Sequence, residues 1–427
     1  MTSATLQMIL SAFIFVAAYI LIIWDKFDRT VVALSGAALM ILLRILTQEN
    51  AFKEIDYNTL GLLVGMMTIV MIIKRTGIFQ YLAIKAVKLA KADPVRIIVL
   101  LSLISACLSA ILDNVTTMLF IIPITLSITR DLHINPSPFI ISEIFASNVG
   151  GTATLIGDPP NIMIGSAANF SFMDFIKNDA VIILPILFLT TYIFVLLYRK
   201  KLVTSESAQA SIMTVDENEC IKDPKLLIKS GTVLGFTILG FVLHSRLHYE
   251  SATIAMAGAV VLLLISGIRP EKILHEIEWK TIFFFIGLFM LVGGIKETGI
   301  INLLAEGVLD LTHGDPVLTS LSILWVSAIA SAFIDNIPFV ATMIPMLKDM
   351  GAISGMDLTP LWWALSLGSC LGGNGTIIGA SANVVATGLA DEHGHKITFG
   401  SYFKTAFPVM LLTIIISTVY LYLVYLT

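Results

Sequence analysis

Charged residues are scarce in this chain of 427 residues. They make up 13% of the sequence, against 57% for hydrophobic residues, whereas a soluble globular domain is about one quarter charged. The mean hydropathy is +0.91. This composition excludes an ordinary soluble domain and predicts an all-α polytopic protein whose main partner is the lipid bilayer.

A basic surplus and closely spaced cysteines are also lacking. The sequence has 26 Lys and Arg against 30 Asp and Glu, a net charge of −4, so no nucleic-acid partner is expected. The cysteines are far apart at Cys107, Cys220 and Cys370, which excludes a redox or metal-ligand motif built on them. The first 24 residues lack a basic start and a cleavage site, so we expect a retained helix rather than a signal peptide.

Long apolar segments recur along the chain. A spanning helix needs about 20 mostly apolar residues. Such segments lie at residues 6–24, 31–47, 59–74, 138–169, 180–198, 226–243, 251–267, 281–296, 360–383 and 405–426. Two further apolar segments, 95–130 and 317–347, are interrupted at the middle by an Asp-Asn pair, and the one clear hydrophilic segment is the linker 199–225.

The two halves of the sequence repeat each other at a shift of 222 residues. The shift aligns Gly, Pro, Asp and Asn residues, which chance matching of apolar residues would not select. Aligned pairs include Gly65 with Gly287, Asp113-Asn114 with Asp335-Asn336, Pro123 with Pro345, and Asn161 with Asn383. We therefore predict an N-terminal repeat, 1–198, and a C-terminal repeat, 226–427.

Charge predicts that the two repeats lie in opposite orientations. Residues 77–96 carry three lysines and one arginine, whereas the equivalent residues 299–318 carry none. Cytoplasmic loops have an excess of Lys and Arg, so the same element is predicted inside in one half and outside in the other. The Lys-rich linker is predicted to be cytoplasmic. Five crossings in each half satisfy both placements, as in the inverted repeats of secondary transporters.

Asp113-Asn114 and Asp335-Asn336 lie at the middle of their apolar segments. Asp and Asn favour turns and helix caps, so each segment, about 95–130 and about 317–347, is predicted to be a re-entrant hairpin with the pair at its tip. An ionised Asp at the bilayer centre costs about 2.5–3.5 kcal/mol. Two of them at equivalent depth favour an ion or proton site, and a structural cap satisfied by backbone N–H groups is the alternative.

Glycine and proline interrupt the apolar segments 138–169 and 360–383, which are predicted to be broken helices. Broken backbone at membrane depth is tolerated only where it is buried in protein or lines a wet cavity. Breaks at corresponding positions of two repeats indicate a transporter binding site. The backbone at the breaks is expected to contribute through Gly150, Gly151, Gly157, Pro159, Pro160, Gly372, Gly373 and Gly379.

The tips and the breaks together give the predicted ion- and substrate-binding residues. The side chains are Asp113, Asn114, Thr116, Thr117, Asn148, Thr152, Thr154, Asp158, Asn161, Asp335, Asn336, Asn374, Thr376, Ser381 and Asn383. Their oxygens are of the kind that a hard cation accepts, and a sodium ion is predicted at Asp113, Asn114, Asp335 and Asn336. No catalytic residue is predicted.

Asp158 breaks the symmetry of the repeat, because its equivalent is Ala380. Asp113, Asp158 and Asp335 would place up to three negative charges near one cavity. Such a site favours a cation, a proton or a neutral substrate over a polyanion.

At these residues the sequence resembles the ion-transporter superfamily. The motifs are Asp113-Asn114 followed by Pro123, and the segment from Ser147 to Asn161 with its Gly-Asp-Pro-Pro-Asn break. The most similar group is that of the arsenite permeases, the NhaD-type sodium/proton antiporters and the pink-eyed-dilution proteins. The resemblance implies a homodimer in which hairpins and broken helices move as an elevator against a scaffold of the other helices. The plasma membrane is the expected location.

The divalent-anion:sodium symporters are more distant relatives by this resemblance. Their tips carry Ser-Asn-Thr, and sodium and substrate bind there. Here Asp113 and Asp335 replace the serines, while Val115 and Ile337 occupy the third positions. These changes remove hydroxyl groups and add carboxylates, which disfavours a dicarboxylate substrate.

The sequence therefore predicts a secondary active transporter rather than an enzyme, with a sodium ion or a proton as coupling ion and no other cofactor. Sodium/proton antiport and the efflux of a small oxyacid, arsenite or antimonite, are equal first hypotheses. Transport of carboxylates or inorganic anions is the next alternative. A passive channel and an intramembrane aspartyl protease are remote ones, since Leu155-Ile156-Gly157-Asp158 lacks the first glycine of the protease motif.

Overall fold

The computed structural model of the protein describes residues 3–24 and 26–427. These residues form α-helices and short 3-10 helices, with no strand among them. In the N-terminal repeat the helices are α1 (Ser3–Trp24), α2 (Arg29–Leu42), α3 (Gln48–Lys53), α4 (Tyr57–Lys74), α5 (Ile78–Leu89), α6 (Pro94–Ser109), α7 (Asn114–Asp131), α8 (Ser137–Thr152), α9 (Pro159–Ala168) and α10 (Phe172–Tyr198).

The linker holds α11 (Glu206–Met213) and a 3-10 turn at Glu217–Cys220. The C-terminal repeat contains α12 (Pro224–Leu247), α13 (Ser251–Ser266), α14 (Pro270–Leu274), α15 (Trp279–Glu297), α16 (Ile300–Leu311), α17 (Pro316–Phe333), α18 (Asn336–Ser354), α19 (Thr359–Gly372), α20 (Ser381–Glu392) and α21 (Phe399–Tyr425). The helices from α2 to α9 begin 222 residues before those from α13 to α20, so the structure confirms the repeat.

Seven of the described helices are long and apolar enough to cross a membrane by length and composition alone. One of them is α17, which the tertiary structure makes one limb of a hairpin. The helices α2 and α13 have 14 and 16 residues and are shorter than that criterion. The predicted span 31–47 is therefore too long at its C-terminal end, because α2 ends at Leu42 and turns follow.

Polar contacts define two faces of the molecule. On the first, which we call the linker face, the Lys222 amide donates to the Thr76 carbonyl at 2.9 Å and Lys280 pairs with Asp28. Arg75, which follows α4, pairs with Glu276 before α15, so the end of α4 and the beginnings of α2 and α15 lie there. On the opposite face, Lys296 pairs with Glu54 at 2.8 Å.

Both Asp-Asn segments are re-entrant hairpins. The Thr204 hydroxyl of the linker donates to the Leu132 carbonyl after α7 at 2.6 Å, so the hairpin α6–α7 leaves on the linker face, where it also enters after α5. In the second hairpin, α17 begins beside the end of α16, where Thr319 donates to Thr312 at 2.8 Å. That hairpin enters from the opposite face, so the predicted inversion of the repeats is confirmed.

The boundaries of these elements differ from the predicted ones at two places, because the second hairpin ends at Ser354 rather than at 347 and the second broken helix ends at Glu392 rather than at 383. The hairpins run over 94–131 and 316–354, and the first broken helix, α8–α9, runs over 137–168. The second broken helix is α19–α20. The residues after Asn383 are mostly small or polar and have a weak helix preference, but they remain helical because one side of α20 is buried.

Small residues let the hairpins approach the broken helices closely. A Cβ atom added to Gly150 on α8 would lie 2.2 Å from the Ala106 carbonyl oxygen on α6. At the equivalent position, a Cβ on Gly372 of α19 would lie 2.5 Å from the Ala328 carbonyl oxygen on α17. Each hairpin therefore packs on the broken helix of its own half. Because α9 also contacts α18 and α8 contacts α19, the elements α6–α9 and α17–α20 form one unit that we call the core.

The linker is docked on the protein rather than free. Lys88 of α5 pairs with Glu217 of the linker, and this hydrogen bond lowers the pKa of the Glu217 carboxyl. Gly77 has a φ of +84°, and a Cβ there would meet the Cys220 carbonyl oxygen. The two Lys-rich segments that the charge pattern assigns to one side, 77–96 and the linker, are in contact.

Candidate ion-binding site

The two aspartates at the hairpin tips cap the helices that follow them. Asp113 accepts hydrogen bonds from the Thr116 amide at 2.8 Å and the Thr116 hydroxyl at 2.5 Å. Asp335 accepts from the Ile337 amide at 3.0 Å. The structural cap, which the sequence analysis gave as the alternative to an ion or proton site, is therefore present at both tips. The Thr117 hydroxyl donates to the Asp113 carbonyl at 2.9 Å, within the same turn.

Two asparagines at equivalent positions donate hydrogen bonds to the backbone carbonyls of the helix breaks. The Asn161 side-chain amide donates to the carbonyls of Thr152 and Thr154 at 3.0 and 3.1 Å. The Asn383 amide donates to the carbonyls of Gly373 and Thr376 at 2.8 and 2.9 Å. These bonds satisfy carbonyls that the missing helical turn leaves without partners, which buried backbone requires.

The threonines of the breaks serve the backbone as well. The Thr154 hydroxyl donates to the Ala110 carbonyl at 2.6 Å, and the Thr376 hydroxyl donates to the equivalent Ala332 carbonyl at 2.5 Å. The Thr152 hydroxyl donates back to the Asn148 carbonyl at 2.7 Å. All three were predicted as ion ligands, and the structure places their hydroxyl protons on carbonyl oxygens.

Asn148 joins the two halves at the centre of the core. Its side-chain amide donates to Asn374 at 3.1 Å and to Asn383 at 2.8 Å, and its oxygen accepts from the Asn114 amide at 3.2 Å. Four of the predicted residues are thus one buried network of neutral amides. Within this network, the side-chain amide nitrogen of Asn374 has no hydrogen-bond partner.

Among the carboxylates of the tips and breaks, Asp158 is the one that accepts no hydrogen bond from a backbone N–H group. It precedes α9 without capping it, because Pro159 and Pro160 remove the N–H groups at the first two helical positions. The side chain is fully buried, and its two oxygens each lie 3.3 Å from the Asn336 amide nitrogen of the second tip. None of the ion pairs among the described residues includes Asp158.

Asp335 has an ionic partner that the sequence analysis missed. Arg29, at the start of α2, donates to the Asp335 carboxylate at 3.2 Å and to the Ser381 hydroxyl at 2.5 Å. Ser381 in turn donates to Asp335 at 2.5 Å. The signal available in the sequence was a break in symmetry, since the residue equivalent to Arg29 is Ser251.

Two cavities at equivalent places of the two repeats flank the core. The cavity on the linker face has a volume of about 630 Å³ and is lined by Arg29, Lys280, Asp335 and Ser381 among others. Its equivalent on the opposite face has about 840 Å³, and its lining residues include no tip aspartate. The second tip is thus open to the linker face.

Glu278 is a second residue that the sequence analysis missed. It precedes α15, lines the linker-face cavity and interacts electrostatically with Asp113 and Arg29. Partial burial raises the pKa of the Glu278 carboxyl to about 7, and the Asp113 carboxylate adds to the shift. The Asp113 and Asp335 carboxylates also act electrostatically on Asp158.

A family described as citrate transporter (CitMHS) matches residues 19–368. The chain belongs to the CitMHS citrate transporter family. Within it, an uncharacterized transporter of Mycobacterium tuberculosis is 43% identical over 419 residues, covering 96% of this chain and 97% of the relative. This CitMHS member is thus a membrane transporter.

The human P protein is 33% identical in an alignment 503 residues long, which covers 98% of this CitMHS chain and 60% of the P protein. The resemblance to the pink-eyed-dilution group is therefore confirmed. Among solved structures, the YdaH transporter of Alcanivorax borkumensis superposes with a TM-score of 0.59 at 15% identity, over 95% of this chain and 97% of that one. At that identity the likeness shows the fold.

Proposed function

We propose that the protein is a secondary active transporter that binds a small cation, Na⁺ or H⁺, at Asp158 and the second hairpin tip. The observation that carries the proposal is the fully buried Asp158 carboxylate, whose hydrogen-bond donors are neutral groups, the Asn336 amide and the Cys370 thiol. A buried anion is costly unless it is paired or protonated. A bound cation or proton at Asp158 meets that requirement, and sodium accepts carboxylate and amide oxygens.

Under this proposal, sodium/proton antiport and arsenite or antimonite efflux are the leading activities. The core would move between the two faces as an elevator against the outer helices, in a homodimer in the plasma membrane. The closed network of amides around Asn148 supports the idea that the two broken helices move together. The same carboxylates, Asp158 and those of the hairpin tips, would bind the coupling ion whether it is sodium or a proton.

A carboxylate or inorganic anion is the second candidate cargo. Arg29 and Lys280 line the linker-face cavity, and two cations beside one cavity favour an anion. The description of the family as citrate transporters agrees with this reading. Against it, Arg29 already contacts Asp335 and Lys280 already pairs with Asp28, so an anion would have to displace these carboxylates.

Purified protein in proteoliposomes tests the leading proposal. We expect an imposed sodium gradient to drive a saturable proton flux that an interior pH dye reports. A current that rises with gradient without saturating would instead identify a channel. A thermal-shift screen with sodium, lithium, arsenite, citrate, sulfate and chloride identifies the ligand class, because a ligand that binds the folded state raises its stability.

Arg29→Gln separates the two candidate cargos. Because the substitution frees the Asp335 carboxylate, we expect the affinity for sodium or lithium to rise about fivefold, the equivalent of roughly 1 kcal/mol for a partly exposed ion pair. Thermal-shift titrations measure the change. Lys280→Gln is the matched control, since it removes a charge from the same cavity without contacting Asp335. Loss of stabilisation by citrate with an unchanged cation response would favour the anion candidate.

A further inference from the structure

A buried carboxyl outside the tips and breaks is Asp179 on α10. It is fully buried, and none of the ion pairs among the described residues includes it. One carboxyl oxygen lies 2.6 Å from the Ser366 hydroxyl of α19, and the other has no hydrogen-bond partner. A carboxylate in such surroundings would be an unpaired buried anion, whereas a protonated carboxyl is neutral and can donate to Ser366.

The surroundings of Asp179 supply no compensating positive charge. The titratable side chains that act on it from neighbouring helices are Cys370 on α19 and Tyr420 and Tyr425 on α21. All three are neutral when protonated. On its own helix, Asp174 lies five residues and the exposed Lys177 two residues before Asp179, and both line the cavity on the opposite face. Asp179 therefore lies toward that face of the molecule.

Ser366 connects Asp179 to the first helix break. Its hydroxyl lies 2.6 Å from Asp179 and 2.7 Å from the Asn161 side-chain oxygen, and it has a single proton to donate. Asn161 is the side chain that holds the carbonyls of Thr152 and Thr154. If Asp179 carries a proton, it donates to Ser366, and Ser366 donates to Asn161. If Asp179 is ionised, Ser366 turns to the carboxylate and Asn161 loses that donor.

We propose that Asp179 is a proton-binding site whose occupancy is transmitted through Ser366 to Asn161 and the first helix break. The site is separate from the two tip carboxylates, and the Cys370 thiol interacts with both Asp179 and Asp158. Proton binding at Asp179 goes beyond the proposed function, because it can be measured without any transport. In the transporter, it would make the ligand affinity of the first break depend on the proton concentration at the face opposite the linker.

Infrared difference spectroscopy on the purified protein tests proton binding. We expect Asp179→Asn to remove the carbonyl stretching band of a protonated carboxyl at neutral pH, and Ser366→Ala to move that band to higher frequency because its hydrogen bond is lost. Asp391→Asn, an exposed site at the end of α20, is the control and keeps the full band. A protonated-carboxyl spectrum unchanged in both Asp179→Asn and Ser366→Ala would overturn the proposal.

Ligand binding as a function of pH tests the transmission to Asn161. Wild-type protein is expected to bind sodium or lithium with an affinity that changes across the pH range where the Asp179 band disappears. In Ser366→Ala that part of the pH dependence is expected to be lost, while the Asp179 band still titrates. If Ser366→Ala keeps the wild-type pH profile, Asp179 does not act on the break. The band measurement is unaffected if the transport proposal itself fails.

Discussion

Asp158→Asn is expected to reduce cation-dependent transport by about 100-fold, because a charged contact to a bound ion is worth roughly 1.5–3 kcal/mol and 1.4 kcal/mol is a factor of ten. Asparagine has the shape of aspartate and keeps an oxygen for the Asn336 amide, which lies 3.3 Å away. The substitution therefore removes the charge and leaves the packing of the break. Flux in proteoliposomes and thermal shift with sodium measure the loss.

The control for this substitution is Asp391→Asn, which removes a carboxylate from an exposed position on α20. We expect transport at the wild-type rate from the control. Asp158→Ala adds a second comparison, since it leaves the Asn336 amide without its acceptor and should also lower thermal stability. Wild-type flux and an unchanged sodium response in Asp158→Asn would refute cation binding at this residue.

Gly150→Ala is expected to prevent the core from packing. The added methyl carbon would lie 2.2 Å from the Ala106 carbonyl oxygen and 2.5 Å from its Cα atom, and neither backbone atom can move without separating α6 from α8. Overpacking of a core costs typically about 1–3 kcal/mol, and a backbone clash is at the upper end. Thermal unfolding in detergent, followed by tryptophan fluorescence, measures the loss.

Two matched variants make the glycine experiment decisive. Gly372→Ala repeats the change in the other half, where the methyl carbon would lie 2.5 Å from the Ala328 carbonyl oxygen, so a comparable loss is expected. Gly235→Ala, on α12, meets no atom within 4 Å and should be neutral or stabilising by about 0.5–1 kcal/mol, the helical advantage of alanine. Wild-type stability in both Gly150→Ala and Gly372→Ala would contradict the close packing of hairpin and broken helix.

The fold was largely predictable because its signals are local and occur twice. An Asp-Asn pair inside an apolar segment specifies a turn within a few residues, and Gly-Asp-Pro-Pro breaks a helix wherever it stands. The shift of 222 residues then showed that neither signal was accidental. The end of α20 was missed because small and polar residues have a weak helix preference, and burial against α7 and α8 decides the outcome.

For the proposed ion site, the sequence indicated candidate residues but not the residues that contact them. Asp158 was identified from its own motif, but the Asn336 amide that faces it comes from 178 positions further along the chain. Arg29 and Asp335 are 306 positions apart, and Asp179 and Ser366 are 187 apart. Such pairs depend on how the helices pack, which the composition and periodicity of one sequence do not determine.

The ion pair between Arg29 and Asp335 has a consequence for the resting protein. In the proposed cycle, each half adopts in turn the arrangement that the other half has here. Asp113 would then take the place now held by Asp335, opposite Ser251, which has no charge. An interaction present in one of two states shifts the population toward that state, and about 1 kcal/mol corresponds to roughly a fivefold ratio. Without cargo, most molecules would have the second tip open to the linker face, so only a minority would be ready to bind cargo from the other face.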